Sequence, residues 1–139
     1  MEWMLLPYKR YADFTGRSRR MEYWMFMLFF YLVLFALVMV MIAAMGPSYD
    51  AAGEGGSGTV AVIFVIVLLV FVFGSIIPML AVQVRRFHDQ DLSGWLVLLN
   101  LIPYLGGLVV FVFMCLKGTT GDNSYGPDPL GGAAADVFA

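Results

Sequence analysis

Charge is scarce in this chain. Only 13% of its 139 residues are Asp, Glu, Lys or Arg, while 61% are hydrophobic. Soluble domains run roughly 25% charged and 45–50% apolar. With a mean hydropathy of +0.84, a chain this short has too little interior to hide its apolar surface from water. A bilayer must act as solvent for much of it. There is one cysteine, Cys115, so an intrachain disulfide is excluded and the thiol content gives no compartment. Cys115 sits in an apolar run, where a thiol serves as a small buried hydrophobe. There is also one histidine, His88. Ten methionines are present, but no histidine or cysteine joins those of the first apolar run. They fill gaps or face lipid rather than bind a soft metal.

What is present falls into three uncharged runs separated by polar stretches. Tyr23–Met45, Val60–Val84 and Trp95–Leu116 carry no Asp, Glu, Lys or Arg. At a rise of 1.5 Å per residue the first spans about 34 Å, enough for a ~30 Å hydrocarbon core. It is too long for the apolar part of a cleaved signal peptide, so a retained span is expected. The second is rich in Val, Ile and Phe. An open strand cannot cross lipid, so a helix is expected there too, kinked near Gly74, Ser75 and Pro78. The third contains Asn100, Pro103 and Gly106-Gly107. It is either one helix kinked at Pro103 or a broken, re-entrant pair of short arms.

The spans therefore fall at about 23–45, 60–84 and 95–116, within a single membrane domain over residues 1–130. Residues 131–139 form a flexible tail. Before the first span, Trp3, Tyr8, Tyr11 and Phe14 alternate with Lys9 and Arg10. That is the composition of a short interfacial helix, with Pro7 limiting where it starts, or of a docking peptide. Thr15 or Ser18 can cap the first span, and Asp91 or Ser93 the third.

Charge is also uneven. Residues 1–20 carry Lys9, Arg10, Arg17, Arg19 and Arg20 against Glu2 and Asp13, whereas Gly46–Gly58 has no basic residue. The positive-inside rule then places the N-terminus and Arg85–Gly94 in the cytoplasm, with Gly46–Gly58 outside. Simple alternation puts the stretch after Leu116 outside; a re-entrant third segment brings it back beside both basic stretches. Glu22 stands at the membrane edge, where an unpaired carboxylate is costly. It should pair with Arg19 or with an arginine of the other loop.

Three polar motifs carry a resemblance. They are Phe14-x-Gly16-Arg17-x-x-Arg20-x-Glu22-Tyr23-Trp24, then Arg85-Arg86-x-His88-Asp89 with Ser93-Gly94-Trp95. The third runs from Lys117-Gly118-Thr119 through Asn123, Tyr125 and Gly126 to Pro127-Asp128-Pro129. In this order they resemble the YhaH-like family of small bacterial inner-membrane proteins, domain of unknown function 805. Ser124 stands where that family often has arginine, which removes a positive charge from the tail. The resemblance implies an all-α, multi-spanning protein of the bacterial inner membrane and brings no activity with it.

These residues fit three classes of function. The first is a non-enzymatic module that binds a partner protein or anionic lipid through a basic cytoplasmic face. Its candidate residues are Arg17, Arg20, Glu22, Arg85, Arg86, His88 and Asp89, with Asn123, Tyr125 and Asp128 in the C-terminal motif. The same charges can equally form a structural ion-pair network. The second is a subunit of a small oligomeric transporter or channel, suggested by the broken third segment. The third is an enzyme built on His88 and Asp89. One histidine beside carboxylates is a weak ligand set, and the adjacent arginines oppose a cation. No catalytic, cofactor or metal residue is expected. The expected partners are anionic headgroups, a protein partner or a second copy, and no nucleic acid.

Overall fold

The computed structural model describes residues 2–45 and 56–131. The elements are α1 (Glu2–Lys9), α2 (Arg20–Met45), α3 (Gly56–Asp89), a 3₁₀ segment (Gly94–Leu101) and α4 (Leu105–Cys115). Among the described residues there is no strand, only an isolated bridge between Asn123 and Gly126. The protein is an all-α integral membrane protein. Most of the expected outer loop, Gly46–Gly58, and residues 132–139 of the expected tail lie outside the described residues.

At 1.5 Å per residue α2 is about 39 Å long and α3 about 51 Å, both longer than a ~30 Å hydrocarbon core. Of their most apolar 18-residue stretches only 17% and 6% are buried within the protein. A soluble core helix would hide such a stretch, so these two present it to lipid. The chain forms two compact units, Met1–Met27 with Ile77–Ala139, and Leu28–Ile76. In the second unit α2 and α3 meet through Phe30 and Phe71, stacked with ring centroids 5.3 Å apart.

The first unit holds the polar motifs and a core of Tyr23, Phe26, Met27, Val82, Phe87, Val110 and Met114. α1 joins it through Tyr8, edge-on to Phe26 at 5.3 Å. Pro7 lies inside α1 rather than at its start. In so short a helix the ring removes a single intrahelical hydrogen bond. The ring is fully buried, and Arg10 N still donates to Leu6 O at 2.9 Å to close the last turn.

The third apolar run is not one helix. Pro103 disfavours helical backbone at the residue before it, and Ile102 is extended. Tyr104 then takes φ 63° and ψ −49°, and Leu105 N donates to Pro103 O at 2.7 Å, a tight γ-turn that separates the 3₁₀ segment from α4. Eight residues at ~2.0 Å and eleven at ~1.5 Å give two arms of roughly equal length, about 16 Å each. Each reaches about half of a hydrocarbon core.

Both arms end beside the C-terminal turn of α3. At Gly94 an added Cβ would stand 2.7 Å from Val84 and 2.9 Å from His88. At the other end Leu116 O accepts a hydrogen bond from Arg86, and Thr119 N donates to Asp89 O at 2.8 Å. The segment is therefore a re-entrant hairpin. At Gly106 any Cβ would collide with the carbonyl of Leu99, so the arms close only over a glycine.

Candidate functional site

α3 continues five residues beyond the uncharged run, and that added turn organises the site. Polar side chains can extend a helix here because each meets a partner on another element. Arg85 and Arg86 are both 0% exposed. Arg85 Nη2 lies 3.0 Å from Glu22 Oε1 on α2, which answers the question of the Glu22 partner. The contact is electrostatic rather than a well-aligned hydrogen bond, since neither atom has a hydrogen-bond partner among the described residues. Ser18 N donates to Arg85 O at 3.2 Å, tying the segment before α2 to α3. Neither expected cap closes α2. Thr15 Oγ1 donates to Asp13 at 2.6 Å, and Ser18 Oγ is buried without a partner among the described residues. Ser93 does cap, accepting from Trp95 N at 3.4 Å at the start of the 3₁₀ segment.

The second ion-pair group is centred on Asp89. Its carboxylate takes Arg17 Nε at 3.0 Å and also Arg86. Arg17 then spends its other nitrogens on the C-terminal motif. Nη1 donates to Gly121 O at 2.6 Å and Nη2 to Thr119 O at 2.7 Å. The planar guanidinium suits this, with donors fanned in fixed directions. One buried arginine thus joins all three motifs. Gly118 passes against the Asp89 carboxylate so closely that a Cβ would collide with it.

The histidine is held in the same hub. His88 Nδ1 lies 3.3 Å from Gly16 O, a contact that needs the proton on Nδ1. The ring stacks on Tyr125 at 3.9 Å, nearly parallel at 5°. Asn123 Nδ2 donates to His88 O at 2.8 Å. Asn123 also receives Tyr125 N on its side chain at 2.9 Å, which shapes the turn. Asp128 accepts from Leu130 N at 2.8 Å and from Gly121 N at 2.9 Å. These amides, Leu130 first, hold its carboxyl below the usual carboxylate range. Arg20 is exposed and takes no part in the ion pairs of the network, with Nη1 3.4 Å from Cys115 O. Among the described residues no three His, Cys, Asp or Glu side chains group as a metal site.

Several residues of the hub carry no obvious signal alone. Thr119 bonds Asp89 O through both its amide and its hydroxyl. Gln90 donates to Phe113 O at 2.6 Å, and Asn100 Nδ2 donates to Gln83 Oε1 at 2.8 Å. Asn100 does carry a signal, since an amide in an apolar run is expected to face another helix. Gln83 and Asn100 are amide side chains in apolar runs, and such residues seek each other.

A small helical membrane protein whose polar motifs converge on one hub is the class this fold and site define. The chain belongs to the family described as "Protein of unknown function (DUF805)", which matches residues 11–127. It is 43% identical over 131 residues to Inner membrane protein YhaH of Escherichia coli (strain K12), covering 93% of this chain and 97% of that protein. It is 36% identical over 133 residues to Inner membrane protein YhaI of the same strain, covering 96% and 99%. No solved structure matches the chain. The bacterial inner membrane is the location of these relatives, and the two long apolar helices fit it.

Proposed function

We propose that this protein is a non-enzymatic inner-membrane module with a basic cytoplasmic face that binds anionic lipid. The observation that carries the reading is how the hub divides its cations. Arg85 and Arg86 are fully buried and paired with Glu22 and Asp89. They act inside the fold, while Arg20 and Lys117 remain exposed at its edge. The orientation rests on the positive-inside rule, which keeps Lys- and Arg-rich segments in the cytoplasm. There the anionic leaflet attracts basic residues by ~1 kcal/mol each.

The test is the purified full-length protein in nanodiscs of phosphatidylcholine with increasing phosphatidylglycerol. Thermal stability and lipid enrichment should rise with the anionic fraction, and the gain should shrink at high salt as charges are screened. Indifference to lipid charge at low salt would remove the reading. Retention of a protein partner in lipid-free pull-downs, without any lipid preference, would move it to a protein-docking face.

The re-entrant hairpin favours a second reading, a subunit of an oligomeric transporter or channel, since broken helices recur at transport sites. Against it, Asn100 and Gln83 hydrogen-bond to each other and so hold elements together. Solute or ion flux in proteoliposomes is the measurement that would revive it.

A further inference from the structure

A cleft of about 310 Å³ opens between the start of α2 and the C-terminal motif. That is the lower end of the size range of small-ligand pockets, roughly 300–1,000 Å³. Arg19, Arg20 and Lys117 line it, with Thr119 and the apolar Met21 and Leu130. Two carboxylates also reach its wall; Asp89 is paired with buried arginines, and Asp128 keeps its charge beside Arg17 and Arg19. Asp128 also holds the amides of Gly121 and Leu130. Arg19 gives one N–H to Pro129 O. The 3.4 Å contact of Arg20 with Cys115 O is long for an N–H···O bond. Lys117 is exposed and has no acidic partner among the described residues. Arg20 and Lys117 are therefore the cations of the cleft that no carboxylate among the described residues pairs.

The apolar residues decide what kind of anion fits. Met21 is 60% exposed one residue into a membrane-spanning helix, and Leu116 and Leu130 are about half exposed. A soluble phosphate would leave these side chains in water. A phospholipid places its phosphodiester against cations and its chains against apolar side chains at the same depth.

We propose that this cleft is a discrete site for the headgroup of one anionic phospholipid. Arg20 and Lys117 grip the phosphodiester, Arg19 supports it from the cleft wall, and the acyl chains run past Met21 and the end of α4. The proposal rests on the basic-face reading and adds that the attraction is focused in one site rather than spread over the face.

The experiment is native mass spectrometry of the full chain released from detergent, titrated with phosphatidylglycerol or phosphatidylcholine. The variants are Arg20→Gln, Lys117→Gln and Lys9→Gln; Lys9 is an exposed cation of α1 that does not line the cleft. The wild-type chain should retain one phosphatidylglycerol in preference to phosphatidylcholine. Each cleft variant should weaken phosphatidylglycerol binding about fivefold in Kd, as the loss of one lipid-facing cation requires, and Lys9→Gln should leave it unchanged. Equal losses in all three variants would overturn the discrete site and keep the basic-face reading. Wild-type protein that holds both lipids alike would overturn both. Displacement of the lipid by millimolar inorganic phosphate would reassign the cleft to a soluble anion. The comparison of lipids on the wild-type chain stands even if a variant fails to accumulate.

Discussion

Asp89 is the residue on which the hub turns, because it answers two buried arginines with one carboxylate. Replacing it with Asn would leave Arg17 and Arg86 without a counter-charge. Breaking a buried pair in this way costs about 3–5 kcal/mol. Asp89→Asn should therefore lower the melting temperature in detergent markedly, whereas Arg20→Gln, at an exposed position, should barely move it. Equal effects would mean that the buried network is not what holds the first unit together. Asp13 gives a second residue-level prediction, outside the spans. The Thr15 hydroxyl, Arg10 and the Thr15 amide hold its carboxyl well below the usual range. A depressed carboxyl contributes stability that is complete above the unfolded value of ~3.9 and is lost as pH falls below it. The Asp13 carboxyl resonance should still report the ionised form near pH ~3, and protonation with an ordinary midpoint would contradict the Arg10–Asp13–Thr15 cluster.

The hairpin is the element on which the location of the tail depends. Its two adjacent glycines do different work. A Cβ at Gly106 would collide with Leu99 O, while one at Gly107 meets nothing within 4 Å. Gly106→Ala should destabilise by about 1–3 kcal/mol or more, as forced overpacking does. Gly107→Ala should be neutral or stabilise by up to ~1 kcal/mol through helix propensity. Thermal melts of the pair would read the difference, and equal behaviour would argue against close contact of the arms. The composition of this run left a kinked span and a re-entrant pair equally open. Pro103 marks a break in either case, and what separates the two is the turn at Tyr104 together with the closure over Gly106. Both are facts of backbone geometry that apolar residues in a row do not encode.

For the whole molecule, the re-entrant hairpin returns the chain to the side from which it entered. The segment from Lys117 to Gly131 therefore lies with Arg17 and Asp89, as its hydrogen bonds require. Paired reporters fused at Ala139 should both show the cytoplasm, the same side as reporters at the N-terminus. A periplasmic C-terminus would rule out the hairpin and with it the hub. That two long apolar helices exist was legible from the absence of charge over 23 and 25 residues, but their bounds were not, since α2 starts at Arg20 and α3 runs from Gly56 to Asp89. α3 extends to Asp89 because its last turn finds Glu22, Arg17 and the Leu116 carbonyl, partners 30 or more residues away.

The amino-acid sequence by itself determined that the bilayer is the solvent. Hydropathy and run length are additive local properties, and they suffice to make α2 and α3 helical and membrane-spanning. It also marked Glu22 as a residue in need of a partner, since a charge at a membrane edge must find one. Only the tertiary structure decided which partner each charge takes. It paired Glu22 with Arg85, gave Asp89 two arginines, and left Arg20 and Lys117 facing a cleft. Those choices depend on distances between segments far apart in the chain, and such distances exist only once the hairpin has closed.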